Sequence, residues 1–186
     1  MEEEIKDRFE AEQILKKHGV MVGGKPAGEL LMQSARLNLM KIFNFFAKTV
    51  PLDYKNKFND SILHYAAKGG NAEMVQFLIS NQIIQTPNLF GELPIFYAAE
   101  EGHVNIIELL FDPVIITVRD KFGDTILHFA AREGHDDACK FIIRKRKDLV
   151  NAANENGQTP LNYAMENGYL SVAEILQKAG GKMATQ

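Results

Sequence analysis

The chain has 186 residues, no tryptophan and a single cysteine, Cys139. One cysteine closes no intrachain disulfide and supplies no multi-cysteine zinc or iron–sulfur site. No apolar run approaches the roughly 20 residues of a membrane-spanning helix. The N-terminus, Met-Glu-Glu-Glu-Ile-Lys-Asp-Arg, lacks the basic start and apolar stretch of a secretory signal. Charge of either sign is in little excess: 21 Lys+Arg stand against 24 Asp+Glu, a formal net of −3, whereas a general nucleic-acid binder carries a basic surface. These absences predict a cytoplasmic protein, with the nucleus as the alternative, that engages neither membrane nor nucleic acid.

What is present is ordinary globular stock, 46% hydrophobic and 24% charged, which excludes disorder along the whole chain. It is also periodic. Ala66-Ala67, Ala98-Ala99, Ala130-Ala131 and Ala164-Met165 recur at intervals of 32, 32 and 34 residues. Gly70, Gly102, Gly134 and Gly168 keep the same spacing, as do Asn59, Gly91, Gly123 and Gly157. A period in the low thirties means one supersecondary unit stacked in a row.

Each unit parses physically. Ser61, Thr125 and Thr159 precede a short helix whose free N–H groups a hydroxyl caps. Pro94 and Pro160 occupy its first turn, where a missing N–H costs nothing. The alanines let neighbouring helices approach, and the glycines end the helix in left-handed backbone. A second helix carries apolar sets at i, i+1, i+3 and i+4: Met74/Val75/Phe77/Leu78, Ile106/Ile107/Leu109/Leu110, Ala138/Cys139/Phe141/Ile142 and Val172/Ala173/Ile175/Leu176. Tight turns then open on Asn56, Asn88, Asp120 or Asn154 and close on Asn or Gly.

Two helices and a turn finger, with Thr125-Ile126-Leu127-His128, Thr159-Pro160-Leu161, Gly102-His103 and Gly134-His135, closely resemble the ankyrin repeat. The resemblance implies an all-α solenoid of helix–turn–helix units with short β-turn fingers, about five repeats. The expected division is an N-terminal capping helix and connector over 1–26, with the helix near Ile5–His18. The array then covers 27–181 in units 27–52, 53–84, 85–116, 117–150 and 151–181, before a tail over 182–186. The first unit is divergent, with Leu37-Asn38 where the glycine belongs. Met1 and the short polar tail after Gly180-Gly181 predict a complete small protein, against an excised segment of a larger enzyme or channel.

The chemistry-bearing residues point away from catalysis. Where Leu93 replaces the capping hydroxyl, Phe96 replaces the histidine of His64 and His128. The joint loss predicts a structural hydrogen bond between hydroxyl and imidazole. Stacked helices lie about 8–10 Å apart, too far for His103 and His135 to share a metal at ~2 Å. Cys139 falls on an apolar helix face, as a small buried hydrophobe does. Gly23-Gly24-Lys25 lacks the spacing and the hydroxyl of a phosphate loop. Paired Glu100-Glu101 has no water-excluding cleft on a shallow array. No enzyme activity and no cofactor are expected. Arg144-Lys145-Arg146-Lys147 suits a solvated helix end, with an import signal or acidic partner as the alternative. Asn151 is similar to the asparagine that an oxygen-dependent hydroxylase modifies in some ankyrin repeats.

Ankyrin arrays bind proteins through turn tips and the inner helix face. Residue by residue, the resemblance assigns partner binding to Lys57, Phe58, Asp60, Lys68, Leu89, Phe90, Glu92, Glu100, Glu101, Lys121, Phe122, Asp124, Arg132 and Glu133, with Glu155, Asn156, Gln158, Glu166 and Asn167 extending the row. The charges on that face sum to −4, which predicts a basic or mixed-charge protein partner. Phe58, Phe90 and Phe122 share one tip register and read as binding hot spots, or as rings that stack and shield the finger backbone. The expectation is a monomeric, non-catalytic adaptor or scaffold, with an inhibitor that occludes an enzyme surface as the alternative.

Overall fold

The computed structural model describes residues 5–184. Among these residues there are eleven α-helices, two 3-10 turns and no strand, with one isolated antiparallel bridge between Lys55 and Ser61. Helix α1 (Arg8–Lys17) comes first, with the Asp7 side chain capping its N-terminus. Five helix pairs follow: α2 (Ala27–Arg36) and α3 (Met40–Ala47), α4 (Ile62–Gly69) and α5 (Ala72–Ser80), α6 (Pro94–Glu100) and α7 (Val104–Leu109), α8 (Ile126–Arg132) and α9 (Asp136–Lys145), α10 (Pro160–Glu166) and α11 (Leu170–Lys178). No helix among the described residues is long and apolar enough to cross a membrane.

The first helices of the pairs stack in the order α2, α4, α6, α8, α10, and α5, α7, α9 and α11 stack as a second row. Phe43 of α3 meets Phe77 of α5 edge-on, with ring centroids 5.8 Å apart. The inner row packs closely because it carries small residues: Ala66, Ala67, Ala98, Ala99, Ala130 and Ala131 are all fully buried. Gly69 marks the tightest approach, since a Cβ there would lie 1.9 Å from the Arg36 carbonyl oxygen.

The left-handed residue that ends each inner helix also serves the next layer. Gly70 has φ +71° and Gly102 has φ +73°. The His103 ring lies over Gly70, and its Nε2 approaches the Lys68 carbonyl at 3.2 Å. His135 repeats this over Gly102, reaching the Glu100 carbonyl at 2.7 Å. Tyr169 covers Gly134 in the same way. In the divergent first unit Asn38 adopts φ +53°, the non-glycine residue best suited to that region.

The hydroxyl–imidazole pair forms as its joint loss in the Leu93/Phe96 layer predicts. The Ser61 backbone N–H and hydroxyl lie 3.0 and 2.9 Å from His64 Nδ1. Nδ1 therefore accepts, and the proton sits on Nε2, which donates to the Glu92 carbonyl at 3.1 Å. Thr125, His128 and the Gln158 carbonyl repeat the set. In the last layer Asn162 Oδ1 accepts from the Thr159 N–H at 3.0 Å.

The outer helices are less uniformly buried than their spacing predicts. Leu109 is 39% exposed, because α7 is a helix of only six residues that ends there, so no further turn covers it. Phe45, Phe77 and Ile175 are half-buried. Cys139 is fully buried, and burial, with Asp136 nearby, pushes its thiol up to about 12. That is the opposite of what a thiolate nucleophile needs.

Candidate protein-recognition face

The face is built on the fingers. In each finger one Oδ1, of Asn56, Asn88, Asp120 or Asn154, accepts two backbone N–H groups across the turn. Successive fingers are then tied through the backbone. Phe58 O accepts the Leu89 N–H at 2.8 Å, Phe90 O accepts Lys121 at 2.8 Å, and Phe122 O accepts Glu155 at 2.9 Å. This ladder holds the tip side chains in one register.

The rings stay near the surface: Phe58 is 43% exposed, Phe90 42% and Phe122 56%. Phe58 and Phe90 touch, with centroids 6.2 Å apart, and the Lys57 ammonium lies 4.9 Å from the Phe58 ring. Leu89 and Lys121 are exposed beside them, as are Glu155 and Asn156 at the last tip. Below the tips, a chain of alternating charge crosses the inner helices. Lys68 Nζ pairs with Glu100 at 2.9 Å and Glu101 at 3.2 Å, and Arg132 pairs with Glu100 at 3.5 Å and Glu133 at 2.9 Å. Burial of Lys68 opposes its charge, but hydrogen bonds and charge from Glu100 and Glu101 outweigh this and raise its pKa. Lys68 and Arg132 also lie over the Tyr97 and Phe129 rings, at 5.4 and 4.6 Å. Between tips and inner helices runs a groove of about 390 Å³, lined by the rings of Phe58, Phe90, Phe122, Tyr97 and Phe129 and by Asp60, Lys68, Glu92 and Glu100.

Two residues assigned to the accessible face are largely buried. Asp60 is 5% exposed and Asp124 4%. Asp60 Oδ1 accepts Asn88 Nδ2 at 2.8 Å and the Tyr97 hydroxyl at 3.0 Å. Asp124 does the same with Asn154 at 2.8 Å and Tyr163 at 3.0 Å. Each carboxylate is held inside because the next layer brings it two donors. Burial beside Asp60 raises the Tyr97 hydroxyl, and burial beside Asp124 pushes that of Tyr163 up to about 12. With both aspartates inside, six acids and four bases of the original set remain accessible. The face is thus less acidic than the sequence suggests.

The intervening layer departs from this pattern. Glu92 stands where Asp60 and Asp124 do, but the following layer offers it Asp120 and Phe129 in place of the asparagine and tyrosine. Burial raises the Glu92 carboxyl, the Asn88 hydrogen bond opposes this, and Asp120 and Glu100 add to the rise. Burial likewise raises Asp120, which is 8% exposed, against its backbone hydrogen bonds. Sequence reasoning missed these ladders. The signal was available in the joint change at the two positions: Asn88 and Asn154 go with Tyr97 and Tyr163, Asp120 with Phe129.

The basic run is partly committed to structure: Arg146 pairs with Asp148 at 2.6 Å, and Lys145 lies 5.4 Å from the Phe111 ring. Asn151 bonds at both ends of its amide, to the Gly180 carbonyl at 3.0 Å and the Lys182 N–H at 2.8 Å.

A family model for ankyrin repeats (3 copies) matches residues 31–120 and 112–186. This chain is an ankyrin-repeat protein. No curated protein matches it. Ankyrin repeats are generally protein–protein interaction modules.

Proposed function

We propose that this ankyrin array is a monomeric, non-catalytic adaptor that binds another protein of basic or mixed charge along the finger tips and inner helices. The observation that carries the reading is the row of Phe58, Phe90 and Phe122. Each ring is about half exposed and held in register by the finger ladder. Ordered aromatic surface of this kind supplies contact area without the entropy cost of fixing a flexible side chain. The mixed partner follows from the balance left once Asp60 and Asp124 are inside, with Lys57, Lys121 and Glu155 exposed at the tips to orient encounter.

The test compares affinity purifications of the wild-type protein and a Phe90→Ala/Phe122→Ala variant from the native cell. Because both rings are at the surface, circular dichroism and the melting midpoint should change little. The specific partners should drop out of the variant's set. An unchanged set discards the aromatic row as the binding surface.

A further inference from the structure

We propose that the groove between the second and third fingers binds an arginine side chain of the partner, with the guanidinium donating to Glu92 and packing against Phe90 and Phe122. This rests on the recognition reading above and assigns the partner chemistry at its centre.

The layers on either side supply the pattern that this one lacks. Asp60 receives Asn88 Nδ2 at 2.8 Å and the Tyr97 hydroxyl at 3.0 Å. Asp124 receives Asn154 Nδ2 at 2.8 Å and the Tyr163 hydroxyl at 3.0 Å. Glu92 occupies the equivalent place, yet its following layer presents a carboxylate, Asp120, and a hydrocarbon ring, Phe129. Neither side chain has a proton to give at neutral pH. Within its own layer Glu92 accepts from Asn88 at 2.9 Å and also interacts with the Tyr97 hydroxyl. Both Asp60 and Glu92 line the groove of about 390 Å³, and of the two only Glu92 lacks the pair of donors from its following layer.

The surrounding charges favour a cation there. Lys68 lines the groove but is committed to Glu100 and Glu101 at 2.9 and 3.2 Å. Arg132 is committed to Glu100 and Glu133 at 3.5 and 2.9 Å, and its charge also reaches Asp120. The charges that act most on Glu92 are Asp120 and Glu100, both negative. A guanidinium fits better than an ammonium. It offers a planar fork of donors that bonds carboxylates in pairs, and its flat face packs on aromatic rings.

The test is a titration of the isotope-labelled full chain, followed by amide chemical shifts, with N-acetyl-arginine amide. N-acetyl-citrulline amide serves as the neutral isostere and N-acetyl-lysine amide as the ammonium. Saturable shifts should centre on Phe90, Glu92, Asp120 and Phe122. Loss of the charge-assisted pair should weaken citrulline by about tenfold or more, and lysine should bind more weakly than arginine. Glu92→Gln should abolish the effect. Asp120→Asn/Phe129→Tyr restores the donors of the neighbouring layers, so it should also abolish binding while raising the melting midpoint. That rise shows the loss does not come from misfolding.

Shifts spread over all acidic residues, equal binding of citrulline or lysine, or full binding by the donor-restored variant would each overturn the assignment. Partner capture separates this inference from the broader reading. If Phe90→Ala/Phe122→Ala loses partners and Asp120→Asn/Phe129→Tyr keeps them, the recognition face stands and the arginine site falls. If neither variant loses partners while N-acetyl-arginine amide still binds, the recognition face falls.

Discussion

At the scale of single residues, the two buried histidines make stability depend on pH. His64 and His128 are fully buried. Desolvation lowers the pKa of both, outweighing the raising effects of the Glu92 and Gln158 carbonyls and of Asp60 and Asp124; Lys55 and Arg119 add to the lowering. The folded state therefore holds these rings neutral, while the unfolded chain protonates them near the ordinary value of 6.5. Below that value the unfolded state binds more protons. Their contribution is complete above it and is lost as pH falls, by up to about 1.4 kcal/mol per pH unit for each ring until its folded pKa is reached. The melting midpoint should drop between pH 7 and 5.5. His64→Asn/His128→Asn should flatten that drop, because Asn162 already fills the same place beside Thr159 without titrating. The variant loses the Nε2 bonds to the next finger, at about 1 kcal/mol each, so it should melt lower at pH 7. An unchanged pH slope would show that other groups carry the acid sensitivity.

At the scale of elements, the inner helices are limited by how closely they approach. Gly69 sits at the last position of α4, against the Arg36 carbonyl at the end of α2. Since that obstacle is backbone, the helices must part to admit a Cβ. Gly69→Ala should therefore destabilise the first interface by about 1–3 kcal/mol, read as a lower midpoint in a urea titration. Gly157→Ala has open space around it and should show only the cost of its left-handed backbone. Gly69 has no left-handed backbone angle to lose, so an unchanged midpoint for Gly69→Ala would show that α2 and α4 admit a Cβ without strain.

The comparison of elements also shows what the sequence could tell. The repeat period and the glycine positions were legible because a single left-handed residue per helix end is a local demand. Asn38 meets that demand although it breaks the motif. The capping role of His64 and His128 was legible because Leu93 and Phe96 change together. The burial of Asp60 and Asp124 was not, because a carboxylate after a turn reads as surface until its donors are known. Those donors arrive from residues 28 to 39 positions away in sequence. The face assigned by family resemblance was counted too acidic by two carboxylates that the structure buries.

At the scale of the whole molecule, an array whose layers meet only their neighbours should have a stability close to the sum of its layers and interfaces. The interfaces here are unequal, and that makes the choice of deletion matter. Removing residues 85–116 would bring Asp60 against Asp120 and Phe129, removing both donors from the following layer and leaving a carboxylate now 5% exposed with only the Asn56 side chain as donor. It would also set Lys68 beside Arg132 in place of their shared partner Glu100. Removing residues 117–150 would instead bring Glu92 against Asn154 and Tyr163, the pair that already serves Asp124. Lys68 would keep Glu100. The two shortened chains lose similar numbers of residues, yet the first should be the less stable by roughly 2–4 kcal/mol, from a buried carboxylate that has lost two of its donors and a like-charge contact. Trimming from Lys182 should cost less than either, since it removes mainly the backbone bonds to Asn151 and Asn162. Thermal melts of the three variants at neutral pH rank them. If the chain lacking 85–116 melts at or above the one lacking 117–150, the donor pattern between layers does not govern how this array holds together.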